Sequence, residues 1–181
     1  MFGDVFETPQ KMTTPFNPVS PYAIAKLFAH YTTINYRKAY NIFTVSGICF
    51  NHESPLRGED FITRKITTGL SKIKAGLLDC LEVGNIDAKR DWWYAGDYVN
   101  AMWLMLQQKK ARDYIIATGK TYTVRQFIDE SIKHFGFDAY WVGKNENEKL
   151  KLKKNNKTII KINKKFYRPN EVNKLLGDTS L

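Results

Sequence analysis

Hydrophobic and polar positions along this chain switch repeatedly between helical and strand periods. Residues 1–19 carry Pro9, Pro15 and Pro18 with Thr13-Thr14 and read as a loop. Ser20 is a good N-cap and Pro21 suits a first helical position, so a helix is predicted from there to about Tyr40. Ala23, Leu27, Ile34 and Ala39 are among its apolar positions. Residues 42–50, β-branched and aromatic, have the composition of a buried strand. A polar loop over 51–60 follows, then a helix over 61–75 ended by Gly76. A short strand over 78–83 turns at Gly84-Asn85. Residues 97–107 predict a helix with an apolar face of Val99, Met102, Trp103 and Leu106. A strand over 114–117 closes at Thr118-Gly119, and Thr123 caps a helix over 124–134 that ends at Gly136. Residues 144–156 read as a polar loop, 158–162 as a strand, and a short helix is predicted after Pro169. Alternating helices and short apolar strands favour α/β architecture with parallel pairing.

Composition narrows the class. With 181 residues, 43% of them apolar, the chain is long enough for a real core and too apolar for disorder. Cys49 and Cys80 exclude a disulfide scaffold and fit a reducing compartment. No apolar run reaches the ~18–20 residues that cross a bilayer, and Asp4 and Glu7 do not suit a targeting segment, so a cytoplasmic protein with no membrane partner is expected. The formal charge of +10 is concentrated late, where residues 144–174 hold eleven Lys or Arg against three Glu. A solvated lysine-rich loop is the simpler account of that segment. Nucleic-acid binding over 149–165 is disfavoured by the lack of interleaved aromatics.

The first candidate chemistry is Tyr22-Ala23-Ile24-Ala25-Lys26. A spacing of four sets the phenol and the ammonium on one helix face. An ammonium near a phenol favours the phenolate, the form that takes a proton from a substrate hydroxyl. Alone, the spacing also fits a surface pair. The same holds for other candidates: Lys65 also reads as a solvated helix lysine, Arg90-Asp91 as an exposed polar pair, and Trp92, Trp93 and Trp103 as core. No Cys/His spacing suggests metal.

The string SPYAIAK, residues 20–26, resembles the extended short-chain dehydrogenase/reductase superfamily, in which Ser-Pro-Tyr opens the catalytic helix. FNHESP at 50–55 is similar to the GDP-mannose 4,6-dehydratase family, as are Arg64-Lys65-Ile66, Gly84-Asn85 with Lys89-Arg90-Asp91-Trp92, Asp97-Tyr98-Val99, Ala117-Thr118-Gly119 and Tyr167-Arg168-Pro169-Asn170-Glu171. The blocks fall in the family's order. The resemblance implies a partial Rossmann-like, NAD(P)-binding, doubly wound parallel sheet lacking its N-terminal half, with a small α/β substrate-binding subdomain. Residues 1–60 would be what remains of the Rossmann-like domain. Residues 61–181 would be mostly the nucleotide-sugar subdomain, with one returning strand and helix near 112–136.

The resemblance further implies conversion of GDP-mannose to GDP-4-keto-6-deoxymannose and water with tightly bound NADP. Tyr22 would be the acid/base at the C4 hydroxyl, and Lys26 would hold the nicotinamide ribose. His52 and Arg57 match positions that contact NADP, and Asn51, Lys65, Arg90, Arg168 and Glu171 match positions that contact GDP-mannose. Homo-oligomerisation, or pairing with an intact homologue, is also implied. The alternatives are another nucleotide-sugar epimerase or reductase of the superfamily, or a non-catalytic nucleotide-sugar-binding or oligomerising remnant.

Several departures qualify these expectations. The sequence holds no Gly-rich cofactor turn, and of the family's Thr/Ser-x-Glu motif only the tail is matched, by Met1-Phe2-Gly3. Met1 therefore reads as an internal position of a longer ancestor, and the chain ends before the family's final helical region. Asp91-Trp92-Trp93-Tyr94 replaces Asp-Trp-Gly-His, and residues 144–157 diverge. The chain alone is expected to fold poorly or to pair with a polypeptide that supplies the other half.

Overall fold

The computed structural model describes residues 1–167, 172 and 174–180. In chain order it has α1 (Pro21–Tyr40), β1 (Gly47–Cys49), β2 (Asn51–Glu53), α2 (Ile62–Lys74), β3 (Leu81–Val83), β4 (Lys89–Arg90), β5 (Trp92–Tyr94), α3 (Ala95–Leu106), β6 (Tyr114–Ile116), β7 (Tyr122–Thr123), α4 (Val124–Phe135), β8 (Ala139–Val142), β9 (Lys149–Leu152) and β10 (Thr158–Ile162). The described residues divide into two compact units. One is drawn from 1–54, 90–121 and 172–181, the other from 55–89 and 122–171. The strand near 114 thus belongs to the first unit and α4 to the second.

In the first unit, α1 starts and stops as its sequence dictates. Ser20 caps it, Pro21 opens it, and Asn41 ends it in the left-handed region at φ 51°. Arg37, in its last turn, ties down the next segment. Its Nε donates to the Thr44 carbonyl at 2.7 Å, and its guanidinium pairs with Asp113. Asp113 also accepts from the Ser46 amide at 3.1 Å. Side chains thus hold residues 42–46, and the ladder begins only at Gly47, so the predicted strand over 42–50 shortens to β1. β1 pairs in parallel with β6, Ile48 opposite Ile115. β2, in the predicted loop, pairs in parallel with β5, Asn51 opposite Trp92. Phe2, Ile48 and Phe50 form the core with Phe16, Ile115, Ala117 and Leu175.

α3 corrects one expectation. Val99, Met102, Trp103 and Leu106 are exposed, and the helix packs through Tyr98 and Met105 instead. The helix is apolar on more than one side, so periodicity alone selects the wrong stripe. Trp92 is buried as expected, but Trp93 and Trp103 are exposed rather than core. The indole of Trp93 donates to Asp97 at 2.6 Å, which a solvent-facing position allows.

In the second unit α2 and α4 pack together against a four-stranded sheet of order β3-β10-β9-β8. β10 runs parallel to β3, whereas β9 and β8 are antiparallel. Ile66, Leu70, Leu81, Val83, Ile128, Leu150 and Ile160 fill the layer between helices and sheet. α4 carries a capping box, Thr123 and Gln126 each holding the other's backbone amide, and ends at Gly136 with φ 72°. β9 falls within the predicted loop over 144–156. Lys149-Leu150-Lys151-Leu152 is a strand alternation that its lysine content disguises. The short helix predicted after Pro169 starts outside the described residues. No helix among the described residues is long and apolar enough to cross a membrane.

Glu82 in β3 receives Lys161 at 2.9 Å, Lys165 at 3.4 Å and the Asn163 amide at 2.7 Å. The hydrogen bond from Lys161, then that from Asn163, holds its pKa down at about 2. A depressed carboxyl pKa stabilises the fold above the unfolded value, and that contribution is lost as pH falls through the folded value. Acid titration should therefore weaken the second unit between pH ~4.5 and ~2. Glu82→Gln should flatten this part of the stability–pH curve, measured by urea melts at each pH.

Candidate functional site

The cap at Ser20, whose hydroxyl accepts from the Ala23 amide at 3.1 Å, fixes the start of α1. Tyr22 and Lys26 follow on one face, with Lys26 Nζ 5.6 Å from the centroid of the Tyr22 ring, within cation–π range. Tyr22 is 73% exposed, open to a ligand. One turn beyond Lys26, His30 is buried against Phe16 and Tyr31, with centroids at 5.3 and 5.6 Å. Lys26, His30, Thr33 and Ser46 line a cavity of about 230 Å³ with Met1 and part of β1. Burial lowers the His30 pKa below the ordinary imidazole value and favours the neutral ring. His30 was overlooked in the sequence, although its i+4 relation to Lys26 was visible there.

β2 carries Asn51 and His52. His52 Nδ1 lies 2.9 Å from the Phe50 carbonyl. A carbonyl only accepts, so Nδ1 bears the proton, and Nε2 of the neutral ring is an acceptor. The His52 ring lies 5.0 Å from that of Tyr98. Tyr98 is buried, and burial first, then the charge of Asp91, raise its pKa well above the usual phenol value.

The Asn51 amide donates to the Asp91 carbonyl at 3.1 Å. Asp91 is fully buried, unlike the exposed pair its sequence neighbourhood also suggested. Its carboxylate accepts from the Thr118 amide at 3.0 Å, the Thr118 hydroxyl at 2.7 Å and the Gly119 amide at 3.1 Å. Arg90, next in the chain, is half-buried in β4. Asp91 thus ties the strand that carries Asn51 and His52 through its backbone carbonyl and the turn after β6 through its carboxylate, with Arg90 as its chain neighbour.

Arg57 and Lys65 belong to the second unit. The Arg57 guanidinium stacks 3.5 Å over the Phe61 ring, and Lys65 Nζ lies 3.6 Å from the centroid of Phe166. Burial lowers the Lys65 pKa below the ordinary amine value. Gly84 makes room for this arrangement, because a Cβ there would sit 2.6 Å from the Phe166 carbonyl oxygen. Arg168 and Glu171 lie outside the described residues. The structure therefore joins Tyr22 with Lys26 and groups Asn51, His52 and Arg90 around Asp91, while Arg57 and Lys65 each rest on a ring of their own unit.

These donors can be tested against a nicotinamide dinucleotide. Its ribose and carboxamide present both donors and acceptors. Lys26 supplies N–H groups and His52 Nε2 a lone pair, so the two residues fit that end of the cofactor.

Residues 1–181 match the family described as GDP-mannose 4,6 dehydratase. The chain is 52% identical over 180 residues to GDP-mannose 4,6 dehydratase of Cricetulus griseus, covering 99% of this chain and 48% of that protein. It is 52% identical over 178 residues to the Homo sapiens protein of the same name, covering 98% and 48%. The chain spans about half the length of these curated relatives. Its fold matches the structure of RMD from Pseudomonas aeruginosa complexed with NADPH, at TM-score 0.75 and 20% identity, over 94% of this chain and 50% of that one.

Asp91→Ala would leave the Thr118 amide and hydroxyl and the Gly119 amide without their acceptor. A loss of about 2–5 kcal/mol is expected, read as a lower urea midpoint, with Asp91→Asn intermediate.

Proposed function

The chain belongs to the GDP-mannose 4,6-dehydratase family, and from that premise we propose that it supplies the acid/base helix and much of the sugar-nucleotide grip for converting GDP-mannose to GDP-4-keto-6-deoxymannose and water. The observation that carries this reading is the Tyr22–Lys26 pair on an exposed face of α1. Tyr22 would take the proton from the C4 hydroxyl as that carbon is oxidised; the product keeps the C4 ketone, so this proton balances the one gained at C5 when the hydride is delivered to C6. Lys26 would keep the phenolate favourable and hold the nicotinamide ribose, with His52 accepting from a cofactor hydroxyl or amide and Arg57 adding a cationic contact. NADP, when bound, supplies the hydride acceptor and donor that leave no net redox change.

Asn51 and Lys65 would bind the sugar nucleotide, and Arg90 and Arg168 would grip its diphosphate through forked guanidinium groups. Glu171 would accept from sugar or ribose hydroxyls. The 181 residues contain neither a Gly-rich turn nor a Thr-x-Glu motif, so the reaction requires those groups from polypeptide outside this sequence. The exposed Tyr22, Phe28, Tyr31 and Tyr40 of α1 and Val99 and Trp103 of α3 support assembly with a second polypeptide, a like copy or an intact homologue. A cytoplasmic setting fits two free cysteines.

The test joins this chain to the complementary half of a relative and supplies NADP and GDP-mannose. Formation of the 4-keto-6-deoxy product is expected, and Tyr22→Phe should slow it by about 10²–10⁴-fold. The 181-residue polypeptide alone should form no product. Turnover by it would refute the assignment of the missing groups.

A further inference from the structure

Independently of the reading above, we infer that the uncovered face of the β3-β10-β9-β8 sheet binds single-stranded nucleic acid. Side chains alternate between the faces of a strand. The register sets Val142, Lys149, Lys161 and Glu82 in one row across the four strands, and Tyr140, Lys151 and Thr158 in the next. These rows lie on the side opposite Leu81, Leu150 and Ile160, which are buried beneath the helices. Tyr140 and Val142 are 38% and 40% exposed, so the face is open.

Its unpaired charge is of one sign. Glu82 is the single acidic side chain in the four strands, and Lys161, Lys165 and Asn163 already satisfy it. Lys153 and Lys157 are paired with Asp138 and Asp79. Among the described residues Lys149, Lys151 and Lys154 of the β9 strand and its turn have no ion-pair partner. Lysines two apart on a strand stand roughly 7 Å from each other, which suits successive phosphates of an extended chain.

An aromatic ring completes the surface. Tyr140 stands directly across from Lys151, and its hydroxyl donates to Asn156 at 2.8 Å, which orients the ring. Residues 149–165 lack interleaved aromatics when read along the chain. The sheet supplies one from β8. Bases stack on such rings without regard to sequence while cations follow the backbone. A duplex would need an element that enters its groove, and a lipid surface would need protruding apolar side chains. This face offers no such element, and Val142 is its single exposed aliphatic side chain among the described residues.

The experiment is fluorescence anisotropy of a labelled short oligouridylate titrated with the whole chain across a salt series. Three free lysines predict a slope of log K against log salt of about −2. The double substitution Lys149→Gln, Lys151→Gln should flatten the slope by about 1.4, and Tyr140→Ala should weaken binding about tenfold. Lys109→Gln with Lys110→Gln, in the other unit, should change neither, with circular dichroism confirming that every variant is folded. Absence of binding at low salt, an unchanged slope in the Lys149/Lys151 variant, or equal capture of duplex DNA or of phosphatidylserine vesicles would each overturn the proposal.

Discussion

A wholly buried carboxylate organises the first unit. Asp91 collects the Thr118 amide and hydroxyl and the Gly119 amide, while its own carbonyl takes the Asn51 amide. Burying a carboxylate is costly unless hydrogen bonds replace its water. Here those bonds come from the turn after β6, so the cost is met only when Asp91 and that turn are brought together. The residues that flank the group, Arg90 on one side and the strand with Asn51 and His52 on the other, are thereby set in fixed relation. The hydrogen bonds of Asp91 add to two short parallel ladders of three residues each.

Much of this was legible along the chain. Ser20-Pro21 and Thr123 with Gln126 announce helix starts through backbone amides that need acceptors, and both caps occur where expected. Tyr22 and Lys26 meet because helical geometry puts i and i+4 together in any fold. What was not legible depends on partners far away in sequence. β2 read as a loop because Asn51-His52-Glu53 is polar, and it becomes a strand only because Trp92–Tyr94 lies beside it. Asp91 read equally well as a surface residue, since nothing within ten positions reveals that Thr118 and Gly119 will enclose it.

Lysine and apolar content misled in opposite directions. The Lys-Leu alternation of β9 is a strand whose outward face is charged, which gives the segment the composition of a loop. In α3 the stripe Val99–Trp103–Leu106 has the composition of a core face, yet Tyr98 and Met105 do the packing. In both elements hydrophobicity is a poor proxy for burial. A two-residue period with charges on one side marks a half-covered sheet, and in a helix apolar on several sides the pattern alone does not select the side that packs.

The same distinction separates the two units chemically. In the first, apolar side chains, Ile24, Phe28 and Tyr31, are left exposed beside the Tyr22–Lys26 pair. In the second, cations rest on rings, Arg57 on Phe61 and Lys65 on Phe166. An aromatic face attracts a cation without neutralising it, unlike the carboxylates that satisfy Lys153, Lys157 and Lys161. Arg125, by contrast, is bound to Glu148 at 2.9 Å and to Asp87 at 3.1 Å, and its charge is committed to structure. A guanidinium or ammonium laid on a ring has its stem already ordered, and the ring itself supplies no countercharge.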